Sequence, residues 1–328
     1  MGAGLDAVEI YGFRGIREGK LEGLQDVNVL VGRNNSGKTT VVEAIARAAQ
    51  HVVAAMGASV DVLSRDRDDY WRSVRHDPSL HPAELAQIHP DAARWNVTLL
   101  RGEAAYGLAY RAGAIGTGGA TLEPFALCTD DATGDPTWLP FLGSITTFRP
   151  DDGANREVEK TLWPLLIQTR ADKILITALN HIYGTRIEQL QLLPDGRFMV
   201  LLPDKSLSLD AYGEGMRAAA RCLMVLAAMR DTVLLVEEPE NHQHPGSLER
   251  FAGAMCRLAR TQNVQLVLTT HNAEAVRAFA SGSAVVGSSF ALFHLALVDG
   301  FLTSRGWRRP NAPTPGTVVP PVPPLPKF

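Results

Sequence analysis

The chain has 328 residues, 45% of them hydrophobic and 20% charged, with a formal net charge of −3. This globular composition suits one large domain with an insertion or two smaller ones; it excludes a disordered chain and a general basic field, so any DNA contact must be a local patch. No stretch reaches the roughly eighteen apolar residues of a membrane span, 273–297 being broken by Glu274 and Arg277, and no basic-then-apolar leader opens the chain, so no membrane insertion and a cytoplasmic location are expected.

Residues 26–31 (DVNVLV) alternate apolar positions and predict a short strand, and 38–56 carry apolar residues at helical spacing. Between them Gly32, Arg33, Asn34, Asn35, Ser36, Gly37, Lys38, Thr39 and Thr40 fit a phosphate-binding loop. Backbone N–H groups around the two glycines suit phosphates, Lys38 suits the β and γ groups, and the Thr39 hydroxyl suits Mg2+. ATP and Mg2+ are therefore the candidate cofactors.

In the stretch that follows, 61–77 mixes arginines with acids around Tyr70 and Trp71 and reads as a solvated segment. Residues 95–100 and 106–110 predict a hairpin, and 158–183 predict a lobe of two helices. No heptad run extends over several repeats. Cys128, Cys222 and Cys256 are odd in number and widely spaced, which predicts reduced, buried thiols.

Farther along, 206–230 place Gly213 and Gly215 directly before a helical Ala, Leu and Met segment, where glycines can open a helix with bare N–H groups. Residues 232–245 (TVLLVEEPENHQHP) read as a buried strand ending in two carboxylates. Here Glu237 is a candidate magnesium support and Glu238 a candidate general base. A second apolar strand, 265–272 (QLVLTTHN), ends at His271, a candidate reporter on the γ-phosphate or the attacking water. Residues 290–302 predict a last strand pair with a turn at Asp299 and Gly300. From Pro310 the chain is Pro-rich and reads as an extended, disordered tail, with PxxP segments for a partner as the alternative.

With the opening 8–16 (VEIYGFRGI), these segments resemble, in the expected order, the SMC-like and RecF-like ABC ATPase heads, within the group related to the overcoming-lysogenization-defect (OLD) ATPases. The resemblance implies an α/β P-loop fold with a mixed sheet, an antiparallel β-subdomain and a helical lobe. It divides the chain into a split core, 1–56 and 195–308, an insertion, 57–194, and a tail, 309–328. It also implies an ATP-dependent homodimer in which Gly213, Gly215 and Arg217 face the partner's γ-phosphate and Pro245 and Gly246 lie in a loop crossing the interface. Arg14 is expected to bring positive charge near the phosphates. His242 and His244 then belong to the loop after the carboxylates. Two departures stand out: Glu237 replaces the usual Asp, and no Ser directly precedes the glycines. No nuclease-like carboxylate set is found. The implied activity is a hydrolysing switch, with Lys38, Glu238 and His271 as catalytic residues, acting on DNA or on an effector protein. A transporter subunit and a non-hydrolysing regulator are the alternatives.

Overall fold

A computed structural model describes residues 4–55, 94–101, 104–112, 122–128, 141, 144–150 and 155–309. The segment 61–77 and the tail from Pro310 lie outside them.

The phosphate-loop strand is β3 (Val27–Val31), preceded by β1 (Ala7–Phe13) and β2 (Ile16–Glu22) and followed by α1 (Lys38–Ala55). Next come β4 (Arg94–Arg101), β5 (Ala104–Ala112), β6 (Leu122–Cys128) and β7 (Thr146–Phe148), then helices α2 (Asn155–Gln168) and α3 (Ala171–Tyr183). Strands β8 (Gln189–Leu192), β9 (Phe198–Leu201) and β10 (Ser206–Ser208) lead through a 3-10 turn (Leu209–Ala211) to α4 (Glu214–Ala228). The rest is β11 (Thr232–Glu237), α5 (Pro245–Gln262), β12 (Val264–Thr270), α6 (Ala273–Val285), β13 (Phe290–Val298) and β14 (Phe301–Arg309).

One 11-stranded sheet runs β6-β5-β4-β1-β2-β14-β13-β3-β12-β11-β7, and a 3-stranded one runs β10-β9-β8. From β13 to β7 every pair is parallel, whereas β1, β2, β4, β5 and β6 pair antiparallel. Strand β7 lies within the expected insertion, yet it pairs in parallel with β11.

Period-two alternation explains why the central strands are largely apolar on both faces. Val27, Val29 and Val31 of β3 and Leu234 and Val236 of β11 face the layer of α2 to α6. Leu30, Val233, Leu235 and Val267 face α1 with β1, β2 and β4. A strand buried on both faces needs no polar side. Buried polar side chains on these strands, such as Thr269, Thr270 and Gln265 of β12, lie toward the strand ends, and Asn28 is held inside β3: its amide donates to Gln25 O (2.7 Å) and Leu266 O (3.0 Å) and accepts from Gln25 N. Helix α1 is held by Val41, Val42 and Ile45, buried side chains worth about 1.5–3 kcal/mol each; Ile45→Asp would detach it and the phosphate loop it anchors. The free thiols Cys222 and Cys256 are buried, and burial pushes Cys256 up to about 12.

Candidate functional site

Parallel pairing brings the carboxyl ends of β3, β12, β11 and β7 side by side, the edge where ligands of open α/β sheets bind. Pairing Val31 with Thr270 and Glu237 with Thr269 aligns the phosphate loop, His271 and the two carboxylates within adjacent strand ends.

The loop 32–40 turns sharply, with Gly37 at φ 91° and Asn35 at φ 63°. Gly32 is required by contact: a Cβ there would lie 2.5 Å from Leu295 O and 2.4 Å from Ser36 Oγ. Lys38 reaches back over the loop, its Nζ donating to the carbonyls of Gly32 (2.8 Å) and Arg33 (3.0 Å). Burial lowers the Lys38 pKa, and the charge of Glu238 opposes that shift. Arg33, Asn34 and Asn35 are exposed and Thr40 is half-buried. The first turn of α1 holds no acidic residue, which leaves its N–H groups and dipole to an anion. Ser36 Oγ is buried with no hydrogen-bond partner. A buried hydroxyl without a partner, beside a held ammonium and bare amides, fits a triphosphate.

Across from the loop, the Thr39 hydroxyl donates to Glu237 Oε2 (3.1 Å). That hydroxyl and carboxylate suit Mg2+, which takes few protein oxygens and completes its shell with water and phosphate. Among the described residues no group of three or more His, Cys, Asp or Glu could hold a metal alone.

His271 sits between the two candidate catalytic groups. Its Nε2 is 3.2 Å from Glu238 Oε1 and its Nδ1 3.5 Å from Lys38 Nζ. One neutral tautomer serves both contacts: Nε2–H donates to the carboxylate while Nδ1 faces the ammonium. Glu238 Oε2 accepts from Asn241 Nδ2 (3.0 Å). The backbone of Glu238 is left-handed (φ 47°), a cost of roughly 1–3 kcal/mol at a non-glycine residue. Its N–H donates to Thr269 O (3.0 Å), so the last ladder bond holds that geometry.

Two residues at the site were assigned no role by the sequence, although Asn241 lies within the 232–245 segment. Arg149, directly after β7, donates Nε to Glu237 Oε1 and Nη2 to Oε2, each at 2.9 Å. A guanidinium thus occupies both oxygens of the carboxylate expected to support magnesium. Asn241, the other, holds Glu238. The only sequence signal for Arg149 is a cation ending a short β-branched stretch before Pro150.

The glycine pair lies elsewhere. Gly213 is exposed and caps α4, and a Cβ there would meet nothing within 4 Å. At Gly215 a Cβ would lie 2.4 Å from His242 O. Arg217 pairs with Glu214 (2.8 Å) and Asp210 (3.4 Å). Among the described residues no hydrogen bond or ion pair joins Gly213, Gly215 or Arg217 to the loop 32–40. Pro245 and Gly246 differ from the expected crossing loop: they open α5, because Pro presets φ at a first helical position and His244 Nδ1 accepts from Gly246 N (3.0 Å). Arg14, at φ 50°, is paired with Glu43 of α1; burial first, then Arg47 and Arg149, lower its pKa, and the charge of Glu237 opposes the shift.

Comparison with known proteins agrees with this geometry. A family model described as an AAA domain, putative AbiEii toxin, Type IV TA system, matches residues 147–277. Two uncharacterized proteins of Methanocaldococcus jannaschii are similar over short stretches, one 45% identical over 42 residues and the other 31% identical over 64 residues. These cover 13% and 20% of this chain and 19% and 56% of the relatives' own lengths. Among solved structures, the SMC head domain from Thermotoga maritima is 15% identical with a TM-score of 0.53, over 92% of this chain and 98% of that one. An Smc head bound to the C-winged helix domain of ScpA is 10% identical with a TM-score of 0.58, over 92% and 98%. The Smc head bound to the C-terminal domain of ScpA derived from Pyrococcus furiosus is 10% identical with a TM-score of 0.53, over 92% and 96%. The fold is that of an SMC-head P-loop ATPase, a mixed α/β sheet with an antiparallel extension. Among the described residues no helix is long and apolar enough to cross a membrane.

Proposed function

We propose that this chain is an ATP-binding and ATP-hydrolysing switch of the OLD-like kind, which closes with a second copy on ATP and controls a protein partner in the cytoplasm. One observation carries the reading: Lys38, His271 and Glu238 form a continuous line of contacts at the strand ends, with Thr39 and Glu237 hydrogen-bonded beside them. In this reading residues 32–40 cradle the triphosphate, and Lys38 exchanges its own loop's carbonyls for the terminal phosphates. Thr39 and Glu237 hold Mg2+, which when bound neutralises phosphate charge. Glu238, oriented by Asn241 and His271, accepts the proton of the attacking water. Charge stabilisation by Lys38, with the magnesium that Thr39 and Glu237 would hold, carries most of the catalysis in this reading.

A second copy contributes Gly213, Gly215 and Arg217, and the open surface at Gly213 suits a phosphate approaching from outside. Arg217 must then release Glu214 or Asp210. The split core 1–56 and 195–308, the insertion 57–194 and the tail 309–328 are the organisation this reading assumes. A protein partner is favoured over DNA by the net charge of −3, by the toxin system named in the family model's description, and by two similar heads that are bound to ScpA domains.

The experiment is a nucleotide-binding, turnover and mass measurement on three chains. Wild type should bind and hydrolyse ATP, Lys38→Ala should not bind it, and Glu238→Gln should bind without turnover and accumulate dimer. Unchanged turnover in Glu238→Gln removes Glu238 as the base. Salt-sensitive, ATP-dependent retention of duplex DNA would replace the protein partner by DNA.

A further inference from the structure

The loop after β11 carries another carboxylate besides Glu238. Glu240 is 9% exposed, in a loop folded by two successive backbone turns, Asn241 N donating to Glu238 O (3.0 Å) and Gln243 N to Glu240 O (2.9 Å). A buried carboxylate is unfavourable unless hydrogen bonds replace its water. Thr270, the fully buried last residue of β12, supplies one: its hydroxyl donates to Glu240 Oε1.

The same hydroxyl accepts from Asn272 N at 2.8 Å. A threonine oxygen that takes the N–H two residues on closes a turn, and the residue inside this turn is His271. Asn272 then caps α6, its Oδ1 accepting from Glu274 N (2.8 Å). A hydroxyl has one hydrogen and two lone pairs. With the hydrogen directed to Glu240, a lone pair faces Asn272 N–H. Without that acceptor the hydroxyl turns its hydrogen elsewhere, and the turn loses its closure. The geometry therefore asks residue 240 for an acceptor and not for a charge.

One loop thus holds His271 from two sides. Glu238 takes the ring, Oε1 lying 3.2 Å from Nε2, and Glu240 takes the backbone through Thr270. The His271 side chain is 39% exposed, so packing alone does not fix it. Its ring spans two partners, with Nδ1 also 3.5 Å from Lys38 Nζ, so a small backbone rotation at His271 breaks one contact or both.

We propose that Glu240 is a positioning residue for the site: through Thr270 it fixes the turn at His271 and keeps the imidazole between Glu238 and Lys38. Its effect on turnover rests on the ATPase reading, and the placement of the ring does not.

The test uses the full-length chain in four variants, Thr270→Val, Thr270→Ser, Glu240→Leu and Glu240→Gln, with two readouts. The first is the His271 signal in nitrogen-edited imidazole NMR without nucleotide, assigned by its loss in His271→Ala. Thr270→Val, which keeps the shape and deletes the hydroxyl, and Glu240→Leu should both move that signal. Thr270→Ser and Glu240→Gln, which keep a hydroxyl and an acceptor, should leave it in place. The second readout is ATP turnover beside nucleotide affinity. Turnover should fall about tenfold to a hundredfold in Thr270→Val and Glu240→Leu, with affinity within about twofold of wild type, and should stay near wild type in the conservative pair. Combining Thr270→Val with Glu240→Leu should be no worse than either alone, since both break one link. An unmoved signal or unchanged turnover in Thr270→Val overturns the proposal, whether or not Glu240→Leu folds. So does a Glu240→Gln signal displaced as far as that of Glu240→Leu, because charge would then be the requirement. If the signals respond as expected but wild type hydrolyses no ATP, the positioning stands and the ATPase reading falls.

Discussion

Replacing Arg149 by alanine separates two demands on Glu237. The carboxylate side chain is 11% exposed and accepts both prongs of the guanidinium fork, at 2.9 Å each, as well as the Thr39 hydroxyl. The arginine is half-exposed, so each charge-assisted bond is discounted to about 0.5–1 kcal/mol. R149A should therefore lose about 1–2 kcal/mol of stability, a drop of roughly 2–6 °C in Tm. The same change should help a cation. A divalent ion that uses Glu237 in the natural chain must first displace the fork, and about 1.4 kcal/mol is a factor of ten in affinity.

Manganese titration by electron paramagnetic resonance, without nucleotide, reads that factor directly: R149A should bind Mn2+ about tenfold more tightly than wild type, while melting earlier. Arg149→Lys, which offers a point charge without the fork, should fall between them. Mn2+ affinity that is equal or weaker in R149A would refute the reasoning, because the guanidinium would then not be competing for the site.

The glycine pair separates folding from function. Gly215→Ala should cost about 1–3 kcal/mol in urea unfolding because its Cβ meets a backbone carbonyl, His242 O, at 2.4 Å. Gly213→Ala, in open space at φ −60° and ψ 160°, should leave stability within about 0.5 kcal/mol while lowering ATP turnover; destabilisation there, or unchanged turnover, goes against a partner-facing role. His271→Ala should retain nucleotide and lose turnover by about tenfold to a hundredfold as Glu238 loses its orientation, and normal turnover at saturating ATP would exclude that function. Burial lowers Lys38 from the usual 10.5, so between its folded pKa and that value the unfolded chain binds more protons. The stability penalty of Lys38 therefore shrinks as pH rises through that window, while nucleotide affinity falls with the lost charge. A fluorescent-nucleotide titration into alkaline pH should show the loss in wild type and not in Lys38→Arg.

The parts of the site visible in the sequence are those whose chemistry constrains several neighbouring residues at once. A phosphate cradle needs two glycines, a lysine and a hydroxyl within a few positions, and a buried strand ending in Glu237 and Glu238 is written in one run of apolar residues. The hairpin of β4 and β5 and the turn at Asp299 and Gly300, both with positive φ, are local in the same way. Arg149 was illegible because its partner is set by the parallel pairing of β7 with β11, across a separation that no local pattern reports. The small sheet of β8, β9 and β10 was missed for a related reason, since its strands are short and half-exposed. At Pro245 a local signal was present, a capping side chain before a proline, but the resemblance to a loop outweighed it.

The last group the sequence left unconnected ties the helical lobe to the site. The Tyr183 hydroxyl lies 2.8 Å from both Gly215 O and Gln243 Oε1, and Gln243 Nε2 donates to Gly215 O (2.7 Å). Burial raises the Tyr183 pKa, so the hydroxyl keeps the proton this junction uses. Gln243 belongs to the same loop as Glu238, whose left-handed backbone and bond to Asn241 fix the loop's other end. The loop between these residues therefore has little slack, closed at one end by a three-way hydrogen-bonded contact and at the other by a residue with left-handed backbone. The carbonyl contact of Gly215 with His242 explains why this position takes no side chain even though it faces no substrate within its own chain. The same contact makes the junction a rigid link between the lobe formed by α3 and the carboxylate at the end of β11.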